Sequence, residues 1–162
     1  MIYIGIDPGR AGAIVGDGPD GACVVLPKSY YAGSRIVPAL LVASLQRVKE
    51  ECGGGDVVVL IERQQAFQGQ GVSSTFTTGI NYGMLMASVE VMGWRLLDLT
   101  PAAWRRAAGI TTGGDPKAAT IREVSRRMPH IDLMPGRCTT PQDGIADAAG
   151  MALAARRVAG VP

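Results

Sequence analysis

Histidine, cysteine and long apolar runs are scarce in this sequence, and each shortage excludes a class of protein. The single histidine, His130, leaves little material for a catalytic triad built on an imidazole. The three cysteines, Cys23, Cys52 and Cys138, match no zinc or disulfide spacing, which favours a reducing compartment. No apolar run approaches the roughly 20 residues that span a bilayer, so we expect no membrane partner.

The composition is that of a globular protein with a modest basic bias. Hydrophobic residues make up 47% and charged residues 19% of the 162 positions, which predicts one domain over residues 1–162. A strand predicted from residue 2 leaves no room for a leader peptide, and we expect a cytoplasmic protein. Residues 1–94 carry six basic and eight acidic side chains, net −2, and residues 95–162 carry ten and six, net +4. That bias permits nucleic-acid binding without demonstrating it.

The chain begins with a strand that ends in a carboxylate. Isoleucines at positions 2, 4 and 6 alternate with other residues, which predicts a β-strand. Asp7 lies at the end of this strand, and Pro8-Gly9 turns the chain. A carboxylate beside a buried strand is costly unless a partner such as a metal ion pairs with it. The alternative is an aspartate that only organises the Pro-Gly turn.

The next apolar segments predict an α/β fold. Strands expected at 11–15 and 22–26 form an antiparallel meander with the first strand, and a helix follows over about 35–52. The continuous apolar run 57–61 is typical of a buried parallel strand, and it ends in Glu62. The remaining predicted elements are a helix from 73 or 74 to 92, a strand at 94–99, and helices opening at Thr100-Pro101, Asp115-Pro116 and Thr140-Pro141.

Two acids therefore follow predicted strands. If those strands are parallel neighbours, Asp7 and Glu62 project at the same edge of the sheet, where α/β folds place ligand sites. The alternative for Glu62 is a solvated strand end.

The last predicted helix carries a second pair of acids. Asp143 and Asp147 are four residues apart and share one face, which Gly150 and Ala154 continue. We expect this small-residue face to lie flat against the sheet and to present both carboxylates at its edge. The like charges weaken a helix slightly, and a divalent cation would offset their repulsion. Asp143 alone is also explained as part of a capping box with Thr140, at the positive end of the helix dipole.

Together Asp7, Glu62, Asp143 and Asp147 form an oxygen-only donor set. Such ligands suit Mg²⁺ or Mn²⁺. Four carboxylates can hold two ions roughly 4 Å apart, a pair that activates water and stabilises the leaving oxygen in phosphodiester hydrolysis. The combination predicts a metal-dependent hydrolase acting on phosphodiesters.

These segments resemble the RuvC-type Holliday-junction resolvases of the RNase H-like superfamily. The matching segments are residues 4–9, the strand ending in Ile61-Glu62, the small-residue helix around 79–83, and residues 143–148. Residues 100–106 and 115–117 are more similar to the phage-encoded branch.

The resemblance implies a five-stranded mixed sheet with helices on both faces, and the four acids as catalytic metal ligands. It also implies symmetric cleavage of branched DNA by a homodimer in the cytoplasm of a bacterium or a phage-infected host. Two features depart from the family pattern. The last two acids are spaced by four residues where bacterial members have three, and Gln142 stands where phage members often have histidine.

Further residues are predicted to contact DNA. Phe67 lies in a loop of Gln and Gly, where we expect it to stack on a base at the junction centre. The alternative is that it folds back onto the core. Lys117, Arg122 and Arg126 share a helix and are expected to contact phosphates, the alternative being a solvated face. The full set of candidate DNA contacts is Arg63, Phe67, Arg105, Arg106, Lys117, Arg122 and Arg126.

The homodimer has a candidate interface, and the function has rivals. In the helix from about 74 to 92, Gly79 and Gly83 permit close approach of a second copy, unless they face the sheet instead. An actin-like or sugar-kinase ATPase also opens with a strand and an acidic turn, but it needs two such domains and a second phosphate loop. A module that binds branched DNA without cutting it is the rival from another class.

Overall fold

In the computed structural model, which describes residues 1–111 and 113–160, a five-stranded sheet stands between two layers of helices. A single 3₁₀ turn at Pro27–Ser29 follows the third strand. The elements in chain order are β1 (Ile2–Ile6), β2 (Ile14–Gly18), β3 (Gly21–Val25), β4 (Tyr31–Ala32), β5 (Arg35–Ile36), α1 (Pro38–Glu51), β6 (Val57–Glu62), α2 (Val72–Val91), β7 (Arg95–Leu99), α3 (Pro101–Ala108), α4 (Pro116–Arg127) and α5 (Asp143–Val158).

The strand order in the sheet is β3-β2-β1-β6-β7. The strands β1, β2 and β3 form the expected antiparallel meander, whereas β6 and β7 run parallel to β1. The short β4 and β5 form a separate hairpin. The predicted α/β class, with a five-stranded mixed sheet and helices on both faces, is confirmed.

The alternation of β1 divides the core into two clusters. Its isoleucines pack on the side of α1 and α2, whereas Tyr3 faces α5. Gly5 shares the face of Tyr3, and a Cβ at Gly5 would overlap the carbonyl oxygen of Ala148 in α5. Because glycine has no Cβ, α5 lies directly on the centre of the sheet.

Two predicted boundaries shift by three residues. The strand β2 begins at Ile14 rather than at residue 11, because its ladder with β1 starts at the pair Ile6 and Ile14. Just beyond that pair, the Asp7 N–H donates to the Ala13 carbonyl at 3.0 Å. Helix α1 begins at Pro38 rather than near residue 35, because the hairpin of β4 and β5 occupies residues 31–36.

Two of the three predicted helix caps are confirmed. The Thr100 hydroxyl accepts the N–H of Ala103 at 3.4 Å, and Asp115 accepts the N–H of Lys117 at 3.0 Å. The third prediction is wrong, because α5 begins two residues beyond Pro141 with Gln142 as its N-cap. The Gln142 N–H instead donates to the Leu133 carbonyl at 2.8 Å, which keeps the chain in the preceding loop. Asp143 is therefore the first residue of α5 and closes no capping box.

Helix α2 buries only one side. Asn81, Leu85, Ser88 and Val89 are its buried residues. Gly79 and Gly83 are exposed, and a Cβ placed on either would meet no atom within 4 Å, so the alternative that they face the sheet is wrong. Within residues 1–111 and 113–160, no helix is long and apolar enough to cross a membrane.

Candidate active site

Asp7 and Glu62 leave neighbouring strand ends. In the parallel pair of β1 and β6, Ile6 lies opposite Ile61, so the next residues along both strands are the two acids. The residues two positions earlier, Gly5 and Leu60, also lie opposite each other on the α5 side of the sheet. Because side chains alternate along a strand, both carboxylates project towards α5. The strands are thus the parallel neighbours that the hypothesis required.

The Asp7 carboxylate is held by its own turn and lies in a negative environment. Its Oδ1 accepts the N–H of Gly9 at 3.1 Å, so Asp7 also organises the turn that follows β1. Burial raises the pKa of Asp7 to about 6, against the lowering effect of the Gly9 N–H. The negative charges of Glu62, Asp147 and Asp143 add to this rise in pKa.

Glu62 is oriented by a buried tryptophan. The indole Nε1 of Trp104 donates to Glu62 Oε2 at 2.8 Å, and Trp104 is fully buried under α5. Burial is the largest influence on Glu62 and raises its pKa, while the indole hydrogen bond lowers it. The nearby charge of Asp147 raises the pKa further. Sequence reasoning missed this contact, since a tryptophan on a short helix gives no sign of which distant carboxylate it will meet.

Asp147 is paired with an arginine inside the site. Arg105 Nη2 lies 3.2 and 3.1 Å from the two oxygens of Asp147, and both side chains are about 15% exposed. Arg105 Nε donates to the Thr120 hydroxyl at 3.3 Å, and the guanidinium lies 4.4 Å from the Trp104 ring centroid. Burial nevertheless raises the pKa of Asp147, with Arg105 opposing it. Arg105, predicted as a DNA contact, is therefore a largely buried partner of a site carboxylate.

Asp143 lies at the rim of the site. The Lys117 ammonium donates to Asp143 Oδ2, and their side chains are 63% and 43% exposed. This hydrogen bond is the largest influence on Asp143 and lowers its pKa. The two acids of α5 thus differ, since Asp147 is enclosed and Asp143 is open to solvent.

The face of α5 that carries the acids does not lie against the sheet, contrary to expectation. A Cβ at Gly150 would lie 2.9 Å from the Trp104 ring and 3.4 Å from Thr120, so this face packs against α3 and α4. The next face, with Ala148 and Ala152, covers Gly5. A Cβ at Gly144 would overlap the Ala11 carbonyl, so the first turn of α5 presses on the turn after β1. The acids are brought together by this contact and by helix packing.

The donor chemistry of the site fits a hard divalent cation. Asp7, Glu62 and Asp147 offer only carboxylate oxygens, and burial first, then negative neighbours, raise the pKa of each. In the side-chain positions described for residues 1–111 and 113–160, however, no three ligating groups come close enough to hold one ion. Arg105 and Lys117 instead occupy the two acids of α5.

Phe67 is exposed near Glu62. Its side chain is 72% exposed, so the alternative that it folds back onto the core is wrong. Its N–H donates to Gln70 Oε1 at 3.3 Å, and the Gln70 N–H donates to its carbonyl at 3.1 Å. Phe67 and Glu62 line a common cavity of about 330 Å³ together with Thr100.

The remaining predicted DNA contacts are spread around the site. Arg63 is tied to β7 through Asp98, with Nε 2.9 Å from its Oδ2 and Nη2 donating to its carbonyl at 3.0 Å. Arg126 pairs with Glu123 at 2.8 Å on the exposed side of α4. Arg106 and Arg122 are exposed on α3 and α4. Of the predicted basic contacts, Lys117 and Arg105 pair directly with the acids of α5.

The sequence matches no protein-family model and no curated protein, whereas solved structures match over nearly the whole chain. Thermus thermophilus RuvC in complex with a Holliday junction substrate superposes with a TM-score of 0.60 at 17% identity, covering 98% of this chain and 95% of that one. A second Thermus thermophilus RuvC structure gives 0.59 at 17% identity with the same coverage. The yeast mitochondrial Holliday junction resolvase Ydc2 gives 0.54 at 19% identity, covering 95% of this chain and 77% of that one.

The first conclusion from these matches is the class: the chain has an RNase H-like fold. The second is more particular, because the arrangement over nearly the full length is that of RuvC-type resolvases. The resemblance inferred from the sequence is confirmed at the level of fold. The similarity to the phage-encoded branch stays a prediction.

Proposed function

We propose that this protein is a metal-dependent endodeoxyribonuclease that cuts four-way junctions and other branched DNA. One observation carries the proposal. Asp7 and Glu62 leave neighbouring parallel strand ends, and the charges of Asp143 and Asp147 on α5 act on Asp7, in a fold similar to that of RuvC. Burial raises the pKa of Asp7, and the negative charges of Glu62, Asp147 and Asp143 add to the rise, which supports a site that would favour a bound cation.

Asp7, Glu62, Asp143 and Asp147 would hold Mg²⁺ or Mn²⁺, two ions per site. When bound, such ions supply an activated water and charge stabilisation of the leaving oxygen. The protein groups around them hold the acids in place. The Gly9 N–H fixes Asp7, the Trp104 indole fixes one oxygen of Glu62, and Arg105 holds Asp147.

Lys117 and Phe67 position the DNA in this proposal. Lys117 reaches the site rim from the first turn of α4 and pairs there with the exposed Asp143. Its ammonium is therefore close enough to contact a phosphate next to the cut. Phe67 is exposed and lines the same cavity as Glu62, and its ring can stack there on a base at the branch. Bases beside a branch are partly unstacked, so opening them costs less than in linear duplex.

We also propose that two copies pair through α2, because symmetric cuts need two sites in fixed relation. The exposed side of α2 carries Val72, Phe76 and Val91, which are 87%, 67% and 86% exposed. Gly79 and Gly83 lie between them with open space above. Light scattering of the free protein tests this, with Gly83→Glu expected to yield monomers. A wild-type monomer, both free and bound to DNA, would contradict the dimer.

One observation favours the rival function, a module that binds branched DNA without cutting it. Arg105 and Lys117 give both acids of α5 a partner without any metal. The two functions separate in a simple assay. A labelled four-way junction is incubated with and without Mg²⁺, and the products are mapped beside those from three-way, flap and linear DNA. We expect cleavage of the branched substrates with Mg²⁺ and none with chelator, whereas binding without cleavage under all conditions would establish the rival.

A further inference from the structure

A cavity of about 660 Å³ lies beside the strand acids, on the α2 side of the sheet. The turn at residues 8–10, which follows Asp7, forms one wall, and Gln64, two residues after Glu62, forms another. The far wall is helix α2, through Ser74, Thr78 and Tyr82. Its size falls within the range of about 300–1,000 Å³ that is usual for small-ligand sites. None of the four acids lines it.

The walls of this cavity are held in place by the protein itself. The Tyr31 hydroxyl donates to the Pro8 carbonyl at 3.0 Å, and the Tyr82 hydroxyl donates to Asp98 Oδ1 at 2.6 Å. The Asn81 side chain accepts the Ile36 N–H at 3.0 Å and donates to the Ser34 carbonyl at 2.8 Å. The two aromatic rings are therefore fixed before any ligand enters, which lowers the entropy cost of binding.

Other polar residues of the lining come from α2 and from the segment after β6. The Thr77 hydroxyl donates back to the Ser73 carbonyl at 2.9 Å. Ser74 and Thr78 also line the cavity, and Gln64 adds an amide whose Nε2 makes a long 3.4 Å bond to the Glu62 carbonyl. Arg10 is exposed and, among the lining residues that the structure describes, is the one that carries a charge.

This lining suits a nucleotide. Tyrosine rings offer flat apolar surface to a base, short hydroxyls and an amide can pair with its polar edge, and an arginine can bind its phosphate. A lining whose charge is a single cation also admits an anion without repulsion. The turn after Asp7 forms one wall of the cavity, so the cavity borders the strand ends that Asp7 and Glu62 follow.

We propose that this cavity binds one unpaired nucleotide of the substrate strand, next to the phosphate that is cut, and so selects where cleavage occurs. The inference rests on the proposed nuclease function. It adds a second contact to that of Phe67, which lines a different cavity across residues 62–67.

The test scans single abasic residues through the positions that flank the cut in a four-way junction. We expect wild-type cleavage to fall about ten-fold at one adjacent position and little elsewhere. Ser74→Leu fills the cavity from an exposed position, so it should cut the intact junction about ten-fold more slowly. On the abasic junction it should match the wild type, because the lost base and the filled cavity remove the same contact. Ala43→Leu, an exposed substitution on α1, is the matched control.

A binding readout separates this inference from the nuclease function. With 2-aminopurine at the sensitive position and no metal, wild-type binding should change the emission, whereas Ser74→Leu binding should not. If the protein binds junctions but never cuts them, the nuclease proposal fails. The emission signal then still shows whether the cavity binds a nucleotide. Equal wild-type rates at all abasic positions, or an identical signal from both proteins, would overturn the inference. Saturable binding of free 2-aminopurine deoxynucleoside monophosphate together with a flat abasic scan would assign the cavity to a free nucleotide and would also overturn it.

Discussion

The two strand acids, Asp7 and Glu62, and the two helix acids, Asp143 and Asp147, are positioned by different kinds of contact. Asp7 and Glu62 follow neighbouring parallel strands, so backbone register alone places them side by side. Asp143 and Asp147 depend on how α5 packs against the sheet, α3 and α4. The strand acids also carry no cationic partner among the ion pairs of residues 1–111 and 113–160, whereas both helix acids do. The difference indicates that Asp7 and Glu62 supply negative charge without a cationic partner. The negative charge of Asp143 and Asp147 is instead offset by Lys117 and Arg105.

The largest expected effect is on the strand pair. Asp7→Asn or Glu62→Gln should lower junction cleavage by about two to three orders of magnitude, because the groups that stabilise the charge of the transition state are then incomplete. Junction binding should persist, since it rests on basic groups that contact phosphates. Single-turnover cleavage and a binding titration measure the two effects. Asp56→Asn, an exposed acid at the opposite end of β6, is the control, and normal turnover by Asp7→Asn would refute the whole site.

Asp143 and Asp147 should differ in their effect on stability, because Asp147 is enclosed and Asp143 is open to solvent. Both Asp143→Asn and Asp147→Asn are expected to lose most cleavage. Asp147→Asn should also destabilise the fold by roughly 1–3 kcal/mol, because it leaves Arg105 enclosed without its charged partner, while removal of a carboxylate whose pKa is raised by burial offsets part of the loss. Asp143→Asn should leave stability nearly unchanged, since its ion pair is exposed.

Denaturant unfolding of both variants measures this difference. The double variant Arg105→Met with Asp147→Asn should recover part of the lost stability, because no unpaired charge remains. Equal stabilities of the two single variants would show that Arg105 and Asp147 are not a coupled pair.

Phe67, in the loop after Glu62, should affect DNA cleavage without affecting the stability of the fold. Phe67→Ala should lower junction cleavage about ten-fold, given that stacking on a base contributes roughly 1–3 kcal/mol. The melting temperature should stay unchanged, because the ring is 72% exposed. Met134→Ala, also an exposed apolar side chain, is the matched control for both assays. A clear fall in melting temperature would argue against the stacking role.

Lys117, which pairs with Asp143, should contact DNA phosphates independently of the base sequence. Lys117→Ala should weaken binding to all junction sequences alike and reduce the salt dependence of binding by about one unit of slope. Binding isotherms at several salt concentrations measure the slope. Lys49→Ala, in the last turn of α1 against Trp94, serves as control. An unchanged slope would remove Lys117 from the interface.

The last expected effect concerns stability rather than DNA, and is a pH dependence that arises from Asp7. Burial raises the pKa of Asp7 from 3.8 to about 6, so the folded state binds more protons than the unfolded state between these values. Stability should therefore fall as pH rises from about 4 to about 6 and stay at the lower level above that. Without metal, Asp7→Asn should raise the melting temperature at pH 7.5 and not at pH 4. A gain that is equal at both pH values would show that Asp7 titrates near its ordinary value.

Some of the site was accessible from the sequence and some was not, for reasons visible in particular residues. Asp7 and Glu62 were identified because alternation and a continuous apolar run are local patterns with a fixed geometry. The i, i+4 spacing of Asp143 and Asp147 established that they share a face, but not which neighbours that face meets. The expectation that it covers the sheet was wrong, because Gly150 packs on Trp104. No local pattern links Trp104 to Glu62, which are 42 residues apart in the chain.

The sequence by itself determined that Asp7 and Glu62 follow strands, the class of fold and the oxygen-only character of the four acids. These follow from periods of two and 3.6 residues and from side-chain chemistry, which act within a few residues. The tertiary structure alone decided that Arg105 is a partner of Asp147, that Lys117 pairs with Asp143, and that a cavity opens beside the turn after Asp7. Such features depend on contacts between segments far apart in the chain. Their geometry is set by the packing of whole helices against the sheet rather than by any short pattern.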